Sequence, residues 1–255
     1  MLRRRRQLRA AAISGTIPHA PARRDQAQGS TDVNGSAGLR NLLVALACAA
    51  GLAAPAAAQA PHTHQHSFDD AQQWARVFDD PERDAWQKPH EVIGALALKP
   101  DAVVADIGAG TGYFSVRLAH MAPKGRIYGV DTEPGMVKHL AERAKRANLA
   151  NVSALLGAPD DPRLPEKVDL ILLVDVYHHI EDRGRYFRRL QNALKPGARI
   201  AIIDFRRDSP VGPPAAARIA PQTVRAELAS AGFELSQEHG FLPNQYFLVF
   251  RAAGS

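Results

Sequence analysis

Residues 103–112 do most to limit what this chain can become. Val103-Val104-Ala105-Asp106-Ile107 is short, apolar and rich in β-branched side chains, and it runs straight into Gly108-Ala109-Gly110-Thr111-Gly112. Phe114, Leu118 and Met121 then recur at helical spacing until Pro123 and a Lys124-Gly125 turn. A buried strand that turns through glycines into a helix lays that helix back across itself and returns as a parallel strand. The glycines also let backbone N–H groups approach a ligand where side chains would clash.

The same alternation runs to the end of the chain. Ala71, Trp74, Ala75 and Phe78 predict an amphipathic helix that stops near Asp79-Asp80-Pro81, and a second helical stretch covers roughly residues 89–97. Strands are predicted at 127–130, 152–156, 168–174 and 199–205. Between them lie one helix through Val137, Leu140, Ala141 and Ala144, and another through Phe187, Leu190 and Leu194 that Lys195-Pro196-Gly197 terminates. Val224, Leu228 and Ala231 mark a last helix, followed by closing strands at 233–237 and 245–251. The expectation is an α/β fold with a doubly wound, seven-stranded sheet, mostly parallel, with an antiparallel C-terminal hairpin at its edge. Ligands bind such sheets beyond the carboxyl ends of the strands, where the strand order reverses.

The net charge of +6 invites a nucleic-acid reading until its distribution is considered. Residues 1–60 hold eight Arg against two acids, while the remaining 195 residues hold 24 bases and 24 acids. A neutral body with no basic stripe gives no support for DNA or RNA as a partner. The charged part is a leader. Residues 42–58, LLVALACAAGLAAPAAA, follow Arg40 and end in small residues, the tripartite pattern of an export signal with cuts after Ala58 or Ala60. Gly51 and Pro55 interrupt the run, which argues against a stable membrane span. The single cysteine, Cys48, lies in this leader, so the body has no disulfide framework, Cys-based zinc site or Cys nucleophile. His62, His64 and His66 form either a solvated linker or a divalent-metal tract. The layout expected is leader and signal 1–60, linker 61–67, helical cap or lid 68–100 and main domain 101–252. The protein is periplasmic or secreted if the signal is used and cytoplasmic if it is not.

Four segments carry chemistry. A dinucleotide-binding turn reads G-x-G-x-x-G, but Tyr113 stands where its last glycine would be, so the turn is G-x-G-x-G with Asp106 two residues ahead. Asp131 ends the second strand, where a carboxylate can accept hydrogen bonds from both hydroxyls of an adenosine ribose; it would also serve as a helix start. The fourth strand runs into Asp175-Val176-Tyr177-His178-His179, placing polar groups at the mouth of an apolar strand. A histidine there has a pKa suited to taking a proton near neutrality, or one of the pair braces the next helix. Finally, Phe78-Asp79-Asp80-Pro81-Glu82-Arg83-Asp84-Ala85-Trp86-Gln87-Lys88-Pro89 sets aromatics among charges, which suits a water-excluding cover or a plain helical cap on the core.

Taken together, Asp106 with the Gly108, Gly110 and Gly112 triplet, Asp131 and the D-x-x-H-H segment resemble the class I S-adenosylmethionine-dependent methyltransferases. The F-D-D-P-x-R-x-x-W-Q-x-P stretch is similar to that of uncharacterised bacterial small-molecule methyltransferases, and the resemblance spans about residues 68–251. It implies a Rossmann-like fold and S-adenosylmethionine as cofactor, with Asp106, the three glycines, Asp131 and Asp175 around the donor. It adds Met136 as an apolar neighbour of the adenine, with a core-facing role as the alternative. It also adds Asp160 as an acid near the adenine amino group, with Asp161 as a turn residue. It implies His178 or His179 as a base, with Tyr177 or Trp86 shaping the pocket for a small-molecule acceptor, and no metal. Two other readings stay open here: a non-catalytic module that binds the cofactor, and an NAD-dependent oxidoreductase, against which Tyr113 counts. Nothing in the sequence sets an oligomeric state.

Overall fold

The computed structural model describes residues 71–254. The leader, the signal run, the His62, His64 and His66 tract and the first residues of the cap lie outside them.

Three short helices come first: α1 (Ala71–Phe78), α2 (Arg83–Gln87) and α3 (Pro89–Leu96). Then follow β1 (Val103–Ile107), α4 (Ser115–Met121), β2 (Arg126–Asp131), α5 (Pro134–Arg146), β3 (Val152–Leu156) and β4 (Val168–Val174). After a single 3-10 turn at Tyr177–His179 come α6 (Arg183–Leu190), β5 (Leu194–Phe205), α7 (Pro221–Ser230), β6 (Phe233–His239) and β7 (Gln245–Ala252). The seven strands form one sheet in the order β3-β2-β1-β4-β5-β7-β6. All neighbouring pairs from β3 to β5 are parallel, and β7 runs antiparallel to both β5 and β6. The reversed strand is therefore inserted between β5 and β6 instead of lying outermost. Strand order reverses at β1, between β2 and β4, so the crevice such sheets use for ligands opens above β1 and β4.

Period-two alternation divides the core between the two faces of the sheet. Ala105, Ile171, Ile200, Ile202, Leu248 and Phe250 pack with Phe187 and Leu190 of α6 and Val224 and Leu228 of α7. Val104, Leu170, Leu172, Ala201, Ile203 and Val249 pack with Val92, Ile93 and Leu96 of α3, with Phe114 just before α4 and with Leu118 of α4. Every residue of β1 is buried, as a central parallel strand requires.

Two local expectations are corrected. The spacing places Leu194 in a helix ended by Lys195-Pro196-Gly197, whereas β5 already begins at Leu194 and carries that tripeptide within it. A register shift between Val168 and Leu170, with Gly197 at φ +73°, absorbs the irregularity. The five-residue α2 was not anticipated, because it is too short to show a period.

Candidate active site

The glycine turn is held by its neighbours on both sides. Gly108, Gly110 and Gly112 have φ of +68°, +54° and +87°. A Cβ on Gly108 would lie 2.2 Å from Val176 Cγ2, and one on Gly112 would lie 2.3 Å from Leu140 Cδ1, so any larger residue would push on the segment after β4 or on α5. Gly108 and Ala109 donate to the Val130 carbonyl (2.8 and 3.0 Å), and Gly110 donates to Asp131 Oδ2 (2.8 Å). Thr111 is wholly buried, and its hydroxyl has no hydrogen-bond partner among the described residues.

Acids surround this turn at the strand ends. Asp106 is buried and accepts from Ser115 Oγ (2.6 Å), the first residue of α4; burial pushes its pKa up to about 7 against that hydrogen bond. Asp131 accepts from Gly110 through one oxygen and from the Glu133 amide through the other (3.0 Å), so it shapes the turn and starts α5. Burial raises its pKa, and the backbone amides hold the rise back. Asp175, just beyond β4, sits at φ +60°. Its Oδ1 accepts from Gln245 Nε2, and its Oδ2 lies 3.7 Å from Arg83 Nη2. Burial and the charge of Asp204 push the Asp175 pKa up to about 7.

The segment after β4 turns His178 toward β5. His178 Nδ1 lies 3.0 and 2.9 Å from the two oxygens of Asp204, a fully buried carboxylate near the end of that strand, and the His178 amide donates to Asp204 Oδ2 (3.2 Å). Burial works against a charged ring, but the hydrogen bond and charge of Asp204, with Asp175 behind it, outweigh burial and raise the His178 pKa. The exposed His179 packs its ring 4.1 Å from that of His178.

The α1–α2 segment covers the glycine turn. Phe78 would meet a Cβ on Gly110 at 3.4 Å. Asp79 pairs with Arg143 of α5 (2.7 Å), whose guanidinium also donates to the Thr111 carbonyl (3.1 Å). The Tyr113 hydroxyl donates to Asp84 of α2, and the guanidinium carbons of Arg83 and Arg117 each lie 4.0 Å from the Tyr113 ring centroid. Gln87, buried, passes the link onward by donating to Gln245 Oε1 (2.7 Å). Trp86 stands 5.8 Å from Phe205 at the end of β5.

Past Phe205, residues 206–218 fold around one side chain at the same end of the sheet. The buried Arg218 guanidinium donates to the carbonyls of Pro213 (2.8 Å), Arg207 (3.1 Å), Ser209 (2.6 Å) and Val211 (3.2 Å).

Residues 98–238, more than half of the chain, match the family described as methyltransferase domain. This chain belongs to that family. The domain is of the S-adenosylmethionine-dependent class. A glycine cradle that a Cβ would fill, a strand-end carboxylate at Asp131 and the unpartnered Thr111 hydroxyl fit that cofactor. A methyltransferase of this class from Aquifex aeolicus superposes with a TM-score of 0.66 at 25% identity, over 71% of this chain and 97% of the other. Among curated relatives, the trans-aconitate 2-methyltransferase of Rhodopseudomonas palustris is 28% identical over 133 residues, 52% of this chain and 48% of the relative. The arsenite methyltransferase of Halobacterium salinarum is 29% identical over 116 residues, 45% and 30% respectively. The demethylmenaquinone methyltransferase of Listeria welshimeri is 27% identical over 121 residues, 47% and 50%. The chain spans half or less of the length of these curated relatives.

Within the methyltransferase domain, three expected site residues stand elsewhere. Tyr177 is fully buried among the α6–α7 core residues, its ring 5.5 Å from Phe187 and its hydroxyl donating to Glu227, because the 3-10 turn swings it to the far side of β4 from α2. Asp160 pairs with Arg189 of α6 (3.2 Å), which also takes Asp161 (3.2 Å). Met136 is 1% exposed and lies in the inward stripe of α5 with Leu140 and Ala144, the core-facing alternative. Two residues went unread, Asp204 and Gln245, while Arg83 and Gln87 were read only as parts of the cover segment. Asp204 did carry a signal, being an acid near the end of an apolar strand, as Asp106 and Asp131 are. The F-D-D-P-x-R-x-x-W-Q-x-P stretch marks Arg83 and Gln87 but does not say what they meet.

Proposed function

We propose that this protein transfers the methyl group of S-adenosylmethionine to a small-molecule acceptor, with His178 as the base and Asp204 as the residue that sets its ring. The reading rests on the two Asp204 oxygens at His178 Nδ1. With that nitrogen donating to the carboxylate, Nε2 is the lone-pair nitrogen of the neutral ring. When bound, S-adenosylmethionine supplies a methyl group already activated by its sulfonium, so the chain's task is alignment and proton removal. Orientation of this kind supplies on the order of 7–11 kcal/mol in favourable systems. In such a transfer the acceptor atom would take the methyl group as its bond to sulfur broke, giving the thioether, and His178 Nε2 would take up the acceptor proton. Relatives named for a carboxylic acid, arsenite and a quinone precursor support a small molecule as the class of acceptor, and a body of balanced charge agrees with it.

The test is transfer of labelled methyl to a small-molecule extract, followed by kinetics on the acceptor found. His178→Ala should lower kcat about 100-fold or more, while His179→Ala should change it only a few-fold. Equal activity of wild type and both variants on a true acceptor removes the base assignment. Binding of the cofactor with no transfer to any fraction favours the non-catalytic module. We also take residues 1–60 as an export leader, for which N-terminal sequencing of protein from the native host is the check.

A further inference from the structure

We propose that Arg83 of α2 holds the carboxylate of the donor's amino-acid tail, an inference that rests on the donor reading above. Arg83 is placed for it. Its guanidinium lies over Tyr113, the residue that follows the glycine turn, and beside Asp175 at the end of β4. Those two positions bracket the crevice above β1 and β4.

The hydrogen-bond ledger of this side chain is incomplete in an informative way. Nη1 donates to the Phe78 carbonyl (3.0 Å), and Nε and Nη2 both donate to Gln87 Oε1 (3.3 and 3.1 Å). A guanidinium has five N–H groups. One on each terminal nitrogen therefore makes no hydrogen bond among the described residues. The carboxylate beside it does not close the gap, since Asp175 Oδ2 stops at 3.7 Å while Asp175 Oδ1 is engaged by Gln245. An arginine that served only to brace the cap would close on Asp175, because a side chain 13% exposed gains little from water. Two spare N–H groups on one planar cation match the two oxygens of a carboxylate.

Charge points the same way. Asp106, Asp131 and Asp175 gather at the strand ends around the glycine turn, and acids there suit the hydroxyls, ammonium and sulfonium of the donor. Its carboxylate would be repelled there without a cation. Arg83 supplies that cation from the cap, so the cap becomes part of the binding site as well as its cover.

Titration calorimetry on the full chain tests this with two thioethers. S-adenosylhomocysteine carries the carboxylate, and 5′-methylthioadenosine lacks the whole tail. Arg83→Gln should weaken the first on the order of 10- to 100-fold and the second by no more than about twofold. Arg83→Lys, which keeps the charge and loses the fork, should fall between. Equal losses for both ligands, or no loss for S-adenosylhomocysteine, would overturn the assignment while leaving the donor reading in place. Failure of the wild-type chain to bind either thioether would remove both. Should Arg83→Gln not fold, the wild-type chain can be titrated with the decarboxylated amine analogue of S-adenosylhomocysteine, which should bind at least about 10-fold more weakly than the parent; equal affinity overturns the proposal.

Discussion

In the reaction proposed above, a single carboxylate would set both the direction and the timing of proton transfer to His178. Asp204 fixes which ring nitrogen is free, and it raises the ring's pKa above the ordinary 6.5 despite burial. A base works only when neutral, so kcat/KM should climb with pH through a limb lying above 6.5. Asp204→Asn should move that limb toward lower pH while reducing the plateau. A pH–rate profile of both proteins checks this, and a limb that stays in place would detach Asp204 from the chemistry. Asp204 was visible in principle, since Asp106 and Asp131 had already marked strand-end acids as the residues to watch. What hid it was the absence of a neighbouring motif, and what misplaced Tyr177 was adjacency. A residue beside two histidines in sequence points elsewhere once a 3-10 turn of three residues per turn intervenes.

Elements rather than residues decide whether the donor site exists. Gly112→Ala combines a φ of +87° with a methyl 2.3 Å from Leu140 Cδ1, so α5 must shift away from the turn. The expected cost is about 1–3 kcal/mol, read as a lower urea midpoint with unchanged slope. The cap answers to different contacts. Tyr113→Phe removes the hydroxyl that Asp84 accepts and keeps the ring between its arginines' reach. Amides of residues 71–88 should then exchange faster with little change in global stability, which hydrogen exchange measured peptide by peptide would show. Strands and long helices were legible because burial imposes period two and period 3.6 on them. The α2 helix and the Leu194 start of β5 were not, since one is shorter than two turns and the other runs through a Pro-Gly pair that normally ends an element.

At the scale of the whole molecule, the site is held against electrostatic cost. Asp106 and Asp175 have folded pKa values raised to about 7 by burial, with Asp204 adding to the second, and His178 is also raised. All three act in one direction. Each contributes stability that is fully present below its unfolded pKa and is lost as pH rises through its folded value. The ligand-free protein should therefore melt at a lower temperature at pH 8.5 than at pH 5.5, and Asp106→Asn should flatten that dependence. Thermal melts across this range are the check, and a melting temperature that rises with pH would contradict it. The fold and the class of cofactor were readable because a glycine turn and strand-end acids are local in sequence. The cap's grip was not, because Arg83 meets Asp175, and Gln87 meets Gln245, at positions far apart in the chain. The loop wound around Arg218 has a further meaning for how such a protein changes over time. Its shape is set by main-chain carbonyls, which every residue type offers, so the outward side chains at Pro210, Val211 and Ala215–Ala217 can be exchanged without unravelling it. Substitutions can therefore accumulate in this clasp while its path is kept, and a library randomised there with Arg218 retained should consist mostly of folded variants.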